Sequence, residues 1–226
     1  MLVTFSGCDG AGKSTQILEL MKAAKENNLS TTFVWSRGGY TPIFQFVKGL
    51  LLWVIGKKKH RDAGLVGVSD TYTNRRRRLL KNKLVSQVWL SIAIIDLILF
   101  YCVYVRFLRF RYDLVLCDRY LEDTQIDFTN NFPDSFSINS LVWRLLCYLC
   151  PEADVKVVLT IPVSLSQERS VKKNEPFPDD IQTLEFRLAC YQNWPEFNCP
   201  KTIKIDGKKC PHEISAFILK VVLFYR

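Results

Sequence analysis

The sequence predicts an α/β domain whose parallel sheet is covered by helices on both faces. Short apolar runs of strand character alternate along the chain with segments of helical periodicity. The first of these runs ends in a glycine-rich turn that opens directly into a helix. A length of 226 residues with 48% hydrophobic and 23% charged residues suits one domain of this class and supplies ample material for a core.

Leu2–Ser6 is a short apolar run bounded by glycine and reads as a buried strand. Ser14–Asn27 follows as a helix, with Ile17, Leu18, Leu20 and Met21 on one stripe. Thr31–Trp35 is β-branched and aromatic, a second strand. Asp113–Cys117 is a third, Val155–Ile161 a fourth closed by Pro162, and Thr202–Ile205 a short fifth. A last helix runs from about Pro211 to Leu223. Strands this apolar are buried on both faces, which is the mark of a parallel sheet. Internal repeats and low-complexity linkers are absent from the sequence, so residues 1–226 are expected to form a single domain.

The segment from Thr41 to Arg111 departs from that pattern. Leu84–Val105 is 22 residues long with one charge, Asp96. It is preceded by Arg75-Arg76-Arg77-Arg78, Lys81 and Lys83 and followed by Arg106, Arg109 and Arg111. Length and apolarity admit a membrane span. Two features favour a core helix packed on the sheet. The third strand begins a few residues later, which leaves no room to return across a bilayer, and Asp96 is expensive in lipid. Peripheral membrane contact stands beside the core reading, with Ile43–Ile55 and Gly56-Lys57-Lys58-Lys59 adding to it.

A net charge of +9 points to an anionic partner. The 75–83 basic cluster lacks interleaved aromatics at a readable spacing, so nucleic acid is disfavoured. Eight cysteines without a regular framework, in a chain of this size, fit a reducing, cytoplasmic setting. The start Met1-Leu2-Val3-Thr4-Phe5 carries no basic n-region of a signal peptide. Cys147 and Cys150 form a C-x-x-C, but Cys210-x-His212 lacks the spacing of a zinc partner, and buried cysteines are the plainer reading.

The sharpest signal is Gly7-Cys8-Asp9-Gly10-Ala11-Gly12-Lys13-Ser14, a full match to the P-loop pattern between a strand and a helix. Glycines permit the tight turn and let backbone N–H groups approach phosphate oxygens. The helix start adds the positive end of its dipole. Lys13 is placed to reach the β- and γ-phosphates of ATP, and Ser14 to ligate Mg²⁺. Gly7, Asp9, Gly10, Ala11, Gly12, Lys13, Ser14 and Thr15 are therefore the candidate nucleotide-binding residues. Asp118-Arg119 follows the third strand, where a carboxylate serves Mg²⁺ and an arginine offers a forked donor to a phosphoryl group. The structural alternative for Asp118 is an N-cap of the next helix.

These residues resemble the thymidylate kinase family of nucleoside monophosphate kinases. The resemblance rests on Phe5–Gln16, on Arg37-Gly38-Gly39-Tyr40-Thr41-Pro42 and on Cys117-Asp118-Arg119-Tyr120. Weaker echoes are Glu168-Arg169, Arg187-x3-Tyr191 and Ile205-Asp206-Gly207. It implies a doubly wound five-stranded P-loop fold of order 2-3-1-4-5, ATP as donor, a phosphorylated acceptor, and a homodimer packed through long helices, for which the apolar 84–105 segment is a candidate surface in place of a membrane face. It further implies that Asp9 meets the acceptor sugar and that Arg37, with Tyr40 beside it, holds the acceptor phosphate. Asp118 and Arg119 stand beside the transferred phosphoryl, and Ser170–Pro178 is the lid, with Arg169, Lys172 and Lys173 as its cations.

The sequence departs from the family at the acceptor end. Asp123 stands where the family has a serine, and Ile126-Asp127-Phe128 replaces its base-lining stretch. Asp96 matches the aspartate of the family's Asp-Arg pair, but Leu97 takes the arginine's place. Three readings stay open: a nucleoside monophosphate kinase acting on dTMP, a related kinase of a sugar, polyol or lipid-linked acceptor using Asp123 and Asp127, and a non-catalytic nucleotide-binding protein.

Overall fold

The computed structural model describes residues 1–35, 83–173 and 179–225. Five strands form one sheet: β1 (Leu2–Gly7), β2 (Thr31–Trp35), β3 (Leu114–Asp118), β4 (Val155–Thr160) and β5 (Thr202–Asp206). Their order is β2-β3-β1-β4-β5 and every pairing is parallel. The expected order and parallel sense are both present.

Strand alternation sorts the core into layers, because successive side chains point to opposite faces. Val3, Phe5, Leu114, Leu116, Val155, Val157 and Leu159 pack into one cluster with helices α1 (Lys13–Glu26) and α8 (Pro211–Phe224). From α1 come Ile17, Leu20 and Ala24, and from α8 Ile214, Ile218 and Val222, at helical spacings. Val115 and Cys117 point the other way, into a cluster with the long 83–111 helix. Val158 joins Leu184, Cys190 and Tyr191 of the helix Ile181–Asn193 on that same side.

The long helix starts as α2 (Lys83–Leu97), widens into a π-helical stretch over Ile98–Val105 and ends as α3 (Arg106–Arg111). One face is core: Leu90, Ala93, Ile94, Leu97, Tyr101, Val105 and Leu108 are buried. The opposite face carries Val88, Ile95, Leu99, Val103, Phe107 and Phe110 in the open, Phe110 with 86% exposure. The expectation of a core helix thus holds for one face, since 44% of the apolar window is buried. Asp96 belongs to the inward side, 3% exposed.

Next come α4 (Leu121–Asn131), α5 (Leu141–Leu149), α6 (Val163–Lys172) and α7 (Ile181–Asn193). Ser140 caps α5 by accepting from Trp143 N, and Asp180 caps α7 by accepting from Thr183 N at 2.7 Å. Several element ends differ from the sequence reading by one residue, and two differences at the third strand and the expected lid have local reasons. β3 begins at Leu114, because the Asp113 carboxylate turns outward to accept from Ser30 N and Ser30 Oγ at 2.9 and 2.6 Å. Residues 170–172, expected in the lid, form the last turn of α6, and Ser170 is buried. Residues 174–178 of that expected lid lie outside the described residues, as do Arg37, Tyr40 and the 75–81 basic cluster.

Candidate functional site

The C-terminal ends of β1 and β3 lie side by side, Phe5 opposite Asp118 in register, so the glycine turn and the Asp-Arg pair meet at one edge of the sheet. The turn needs its glycines for separate reasons. Gly7, Gly10 and Gly12 all have positive φ, at 143°, 75° and 97°. A Cβ on Gly7 would stand 2.2 Å from Leu159 O, and one on Gly10 2.9 Å from Arg169 Cβ. At Gly12 nothing lies within 4 Å, so only its backbone conformation demands glycine.

Helix α1 starts after Gly12 without a side-chain cap and without an acidic residue in its first turn. Its leading N–H groups are left for a ligand, at the positive end of the dipole. Ser14 and Thr15 are exposed there. Lys13 folds back over the turn, its Nζ donating to Gly7 O at 2.9 Å and to Cys8 O at 3.0 Å. Burial and the neighbouring Arg119 both lower its pKa, so a phosphate arriving here meets a cation that gains from a new anionic partner. Burial also pushes the Cys8 thiol up to about 11, which leaves that sulfur protonated and packed.

Arg119 is the other cation. It sits in the left-handed region at φ 70°, costly for a residue with a Cβ, and its N–H is fixed by Phe5 O at 2.8 Å. Its Nη2 donates to Asp9 Oδ1 at 2.5 Å, while its buried Nη1 has no hydrogen-bond partner among the described residues. Asp118 is the mirror case: 7% exposed, its Oδ1 is buried without a hydrogen-bond partner among the described residues. Burial raises its pKa, against Lys13 and Arg119, which lower it. Each of these two sequence neighbours therefore keeps one buried polar atom without a hydrogen-bond partner among the described residues. That pattern suits a phosphoryl oxygen on Arg119 and a hard, oxygen-preferring dication such as Mg²⁺ near Asp118 and the Ser14 hydroxyl. The N-cap alternative for Asp118 is set aside, because α4 is capped at Tyr120.

Asp123 stands behind the site. It is 1% exposed, and its carboxylate accepts from Ser6 Oγ at 2.5 Å, Tyr191 OH at 2.8 Å and Tyr120 N at 3.3 Å. It therefore ties β1, α4 and α7 together and has no face turned to an acceptor. Asp127 is engaged as well, 2.6 Å from Arg187 Nη2, and Arg187 Nε lies 2.9 Å from Asp179. Arg169 reaches the turn, its Nη1 donating to Gly10 O at 3.0 Å. Lys172 does not: it is exposed and pairs with Glu168 at 2.6 Å. The i, i+4 spacing that faces it to Glu168 turns it off the phosphate side of α6.

Ser6, Ser166, Arg187, Tyr191 and Gly207 complete the assembly without having been singled out as site residues. Ser166 Oγ donates to Asp9 O at 2.6 Å, and Gly207 lies so close that a Cβ there would stand 2.8 Å from Ala11 O. Arg187 and Tyr191 share a face of α7 with buried Leu184, and the Arg187-x3-Tyr191 echo of the resemblance, with a charge on an otherwise apolar helical face, was the signal available for them.

No family model matches the chain. It is 26% identical over 172 residues to a thymidylate kinase of Afipia carboxidovorans, a match covering 76% of this chain and 63% of that protein. To a thymidylate kinase of Chlorobaculum parvum it is 32% identical over 85 residues, 38% of this chain and 36% of the other. The chain thus matches less than two thirds of the length of either relative.

Proposed function

We propose that this chain is an ATP-dependent phosphotransferase that moves the γ-phosphoryl to a nucleoside monophosphate, with dTMP as the first acceptor to test. The observation that carries the reading is the orphaned pair, Arg119 Nη1 and Asp118 Oδ1, buried beside a glycine turn that holds Lys13. Buried polar atoms without partners are costly, and a bound triphosphate with its metal satisfies both.

The roles follow from position. The first-turn N–H groups of α1 and the backbone of Gly10–Gly12 receive the β-phosphate oxygens. Lys13 exchanges its carbonyl partners for the β- and γ-phosphates. Arg119, oriented by Asp9, turns Nη1 to the transferred phosphoryl, and Arg169 steadies the turn through Gly10 O. Ser14 and Asp118 would hold Mg²⁺, which would supply neutralisation of the phosphate charge. The γ-phosphorus–oxygen bond to ADP breaks as a bond forms to an oxygen of the acceptor phosphate, giving ADP and a nucleoside diphosphate. Positioning and charge account for most of the rate in such a transfer.

A sugar or polyol acceptor draws its residue support from Asp123 and Asp127. Their carboxylates are occupied by Ser6 and Tyr191 and by Arg187, which favours the nucleotide reading. Two thymidylate kinase relatives favour it too. ADP release measured with ATP, Mg²⁺ and a panel of nucleoside monophosphates, sugars and glycerol tests it. Turnover is expected with at least one monophosphate, led by dTMP. Turnover confined to sugars or glycerol would overturn the acceptor assignment while leaving the donor site intact.

A further inference from the structure

The outer face of the long helix does not end with that helix. α5 packs beside it, fastened by Arg106 Nη2 donating to Leu149 O at 2.6 Å and Arg109 Nη1 to Glu152 O at 3.1 Å. Trp143 and Leu146 of α5 point into the shared core, and Leu141, Val142, Leu145 and Tyr148 point out. Leu141 is 81% exposed and Tyr148 85%, alongside Phe107 at 60% and Phe110 at 86%. Exposed aromatic and aliphatic side chains at these levels, on two neighbouring helices, exceed the scattered singles of an ordinary surface.

Charge identifies the occupant. From Leu97 to Tyr112 and from Ser135 to Pro151 the sequence holds no Asp or Glu. The charges in these two stretches are Arg106, Arg109, Arg111 and Arg144, of which Arg106, Arg111 and Arg144 are exposed. A second copy docked through this face would set arginines against arginines. The exposed carboxylates Asp113, Asp134 and Glu152 stand only at the margins of the two stretches, with Asp113 held by Ser30 and Glu152 by Lys201. An anionic lipid surface answers both features, taking up the apolar side chains while its headgroups meet the arginines. The same helix buries its other face against the sheet, and β3 starts at Leu114, a geometry that leaves one side of the helix for a surface and excludes a span.

We propose that the exposed faces of α2–α3 and α5 form a docking surface for an anionic membrane, inserted through Phe107, Phe110, Leu141 and Tyr148. The test is co-sedimentation of the full chain with phosphatidylcholine vesicles with and without phosphatidylglycerol. Binding is expected to be at least ~10-fold tighter to the anionic vesicles and to weaken with salt. The double variants Phe107→Ser/Phe110→Ser and Leu141→Ser/Tyr148→Ser are each expected to lose about 10-fold or more, with melting temperature unchanged. Hydroxyl-radical footprinting of the unaltered chain reads the same face without a variant. Protection of Phe110 and Tyr148 by anionic vesicles supports the proposal. A chain that stays in the supernatant with both vesicles overturns it, and so does a dimer that the same substitutions dissociate.

Discussion

Asp118 and Arg119 are adjacent in sequence, both buried, and each keeps one side-chain atom without a hydrogen-bond partner among the described residues. Arg119 holds this position only by adopting φ 70°, which a Phe5 carbonyl and the Asp9 carboxylate fix in place. Such strain and desolvation reduce stability and prepare the site for charge. For Asp118 the sign is definite. Its raised pKa means that the folded chain keeps the proton at pH values where the unfolded chain has lost it. Its contribution to stability is therefore lost as pH rises through that window and regained as pH falls. Asp118→Asn is expected to stabilise the fold by about 1 kcal/mol near neutrality, a gain that shrinks toward acid pH, while abolishing transfer. Melting curves across pH for both proteins check this. A variant less stable than the parent at neutral pH would contradict the desolvation argument. Arg187 is the opposite case, a buried cation between Asp127 and Asp179. Arg187→Met leaves two carboxylates uncompensated and is expected to cost about 3–5 kcal/mol in denaturant unfolding. Little change would mean that the pair carries no net coupling.

At the scale of elements, the glycine turn shows two different constraints. Gly7→Ala sets a Cβ 2.2 Å from Leu159 O, inside the contact distance of β1 with β4, and is expected to prevent a stable fold. Gly12→Ala meets no atom within 4 Å and carries only the cost of positive φ, about 1–2 kcal/mol. Comparing the two by thermal melting separates steric from conformational cost; equal losses would contradict that separation. The turn, the strand before it and the helix after it were legible in the sequence, because one local pattern fixes all three. The long apolar helix was legible in extent but not in environment. Its apolar side chains run around the whole circumference, so periodicity could not say that Leu97 and Tyr101 are buried while Val103 and Phe110 are open. Its π-helical stretch had no sequence signal, yet it carries Tyr101 to within 4.6 Å of the Tyr120 ring, next to Arg119.

The described residues build one parallel sheet whose strand order places β1 between β3 and β4. That order brings the phosphate turn, Asp118 and Arg169 together from three separated stretches of chain. The glycine turn is legible in the sequence because its residues, Gly7 to Ser14, are contiguous. The acceptor end is not, because its support is long-range. Whether Asp123 meets a substrate or a neighbour depends on Ser6 and Tyr191, 117 and 68 residues away. Lys172 is placed by the reverse, a short-range pairing with Glu168 that a family pattern does not reveal. The central claim is that the turn around Lys13 transfers a γ-phosphoryl group. Incubation with γ-³²P-labelled ATP, Mg²⁺ and dTMP, comparing the chain with its Lys13→Ala variant, tests it most directly. Label is expected to move to the acceptor at a rate about 10³-fold higher than in Lys13→Ala, with both proteins folded. Transfer at the same rate by the two proteins would contradict it.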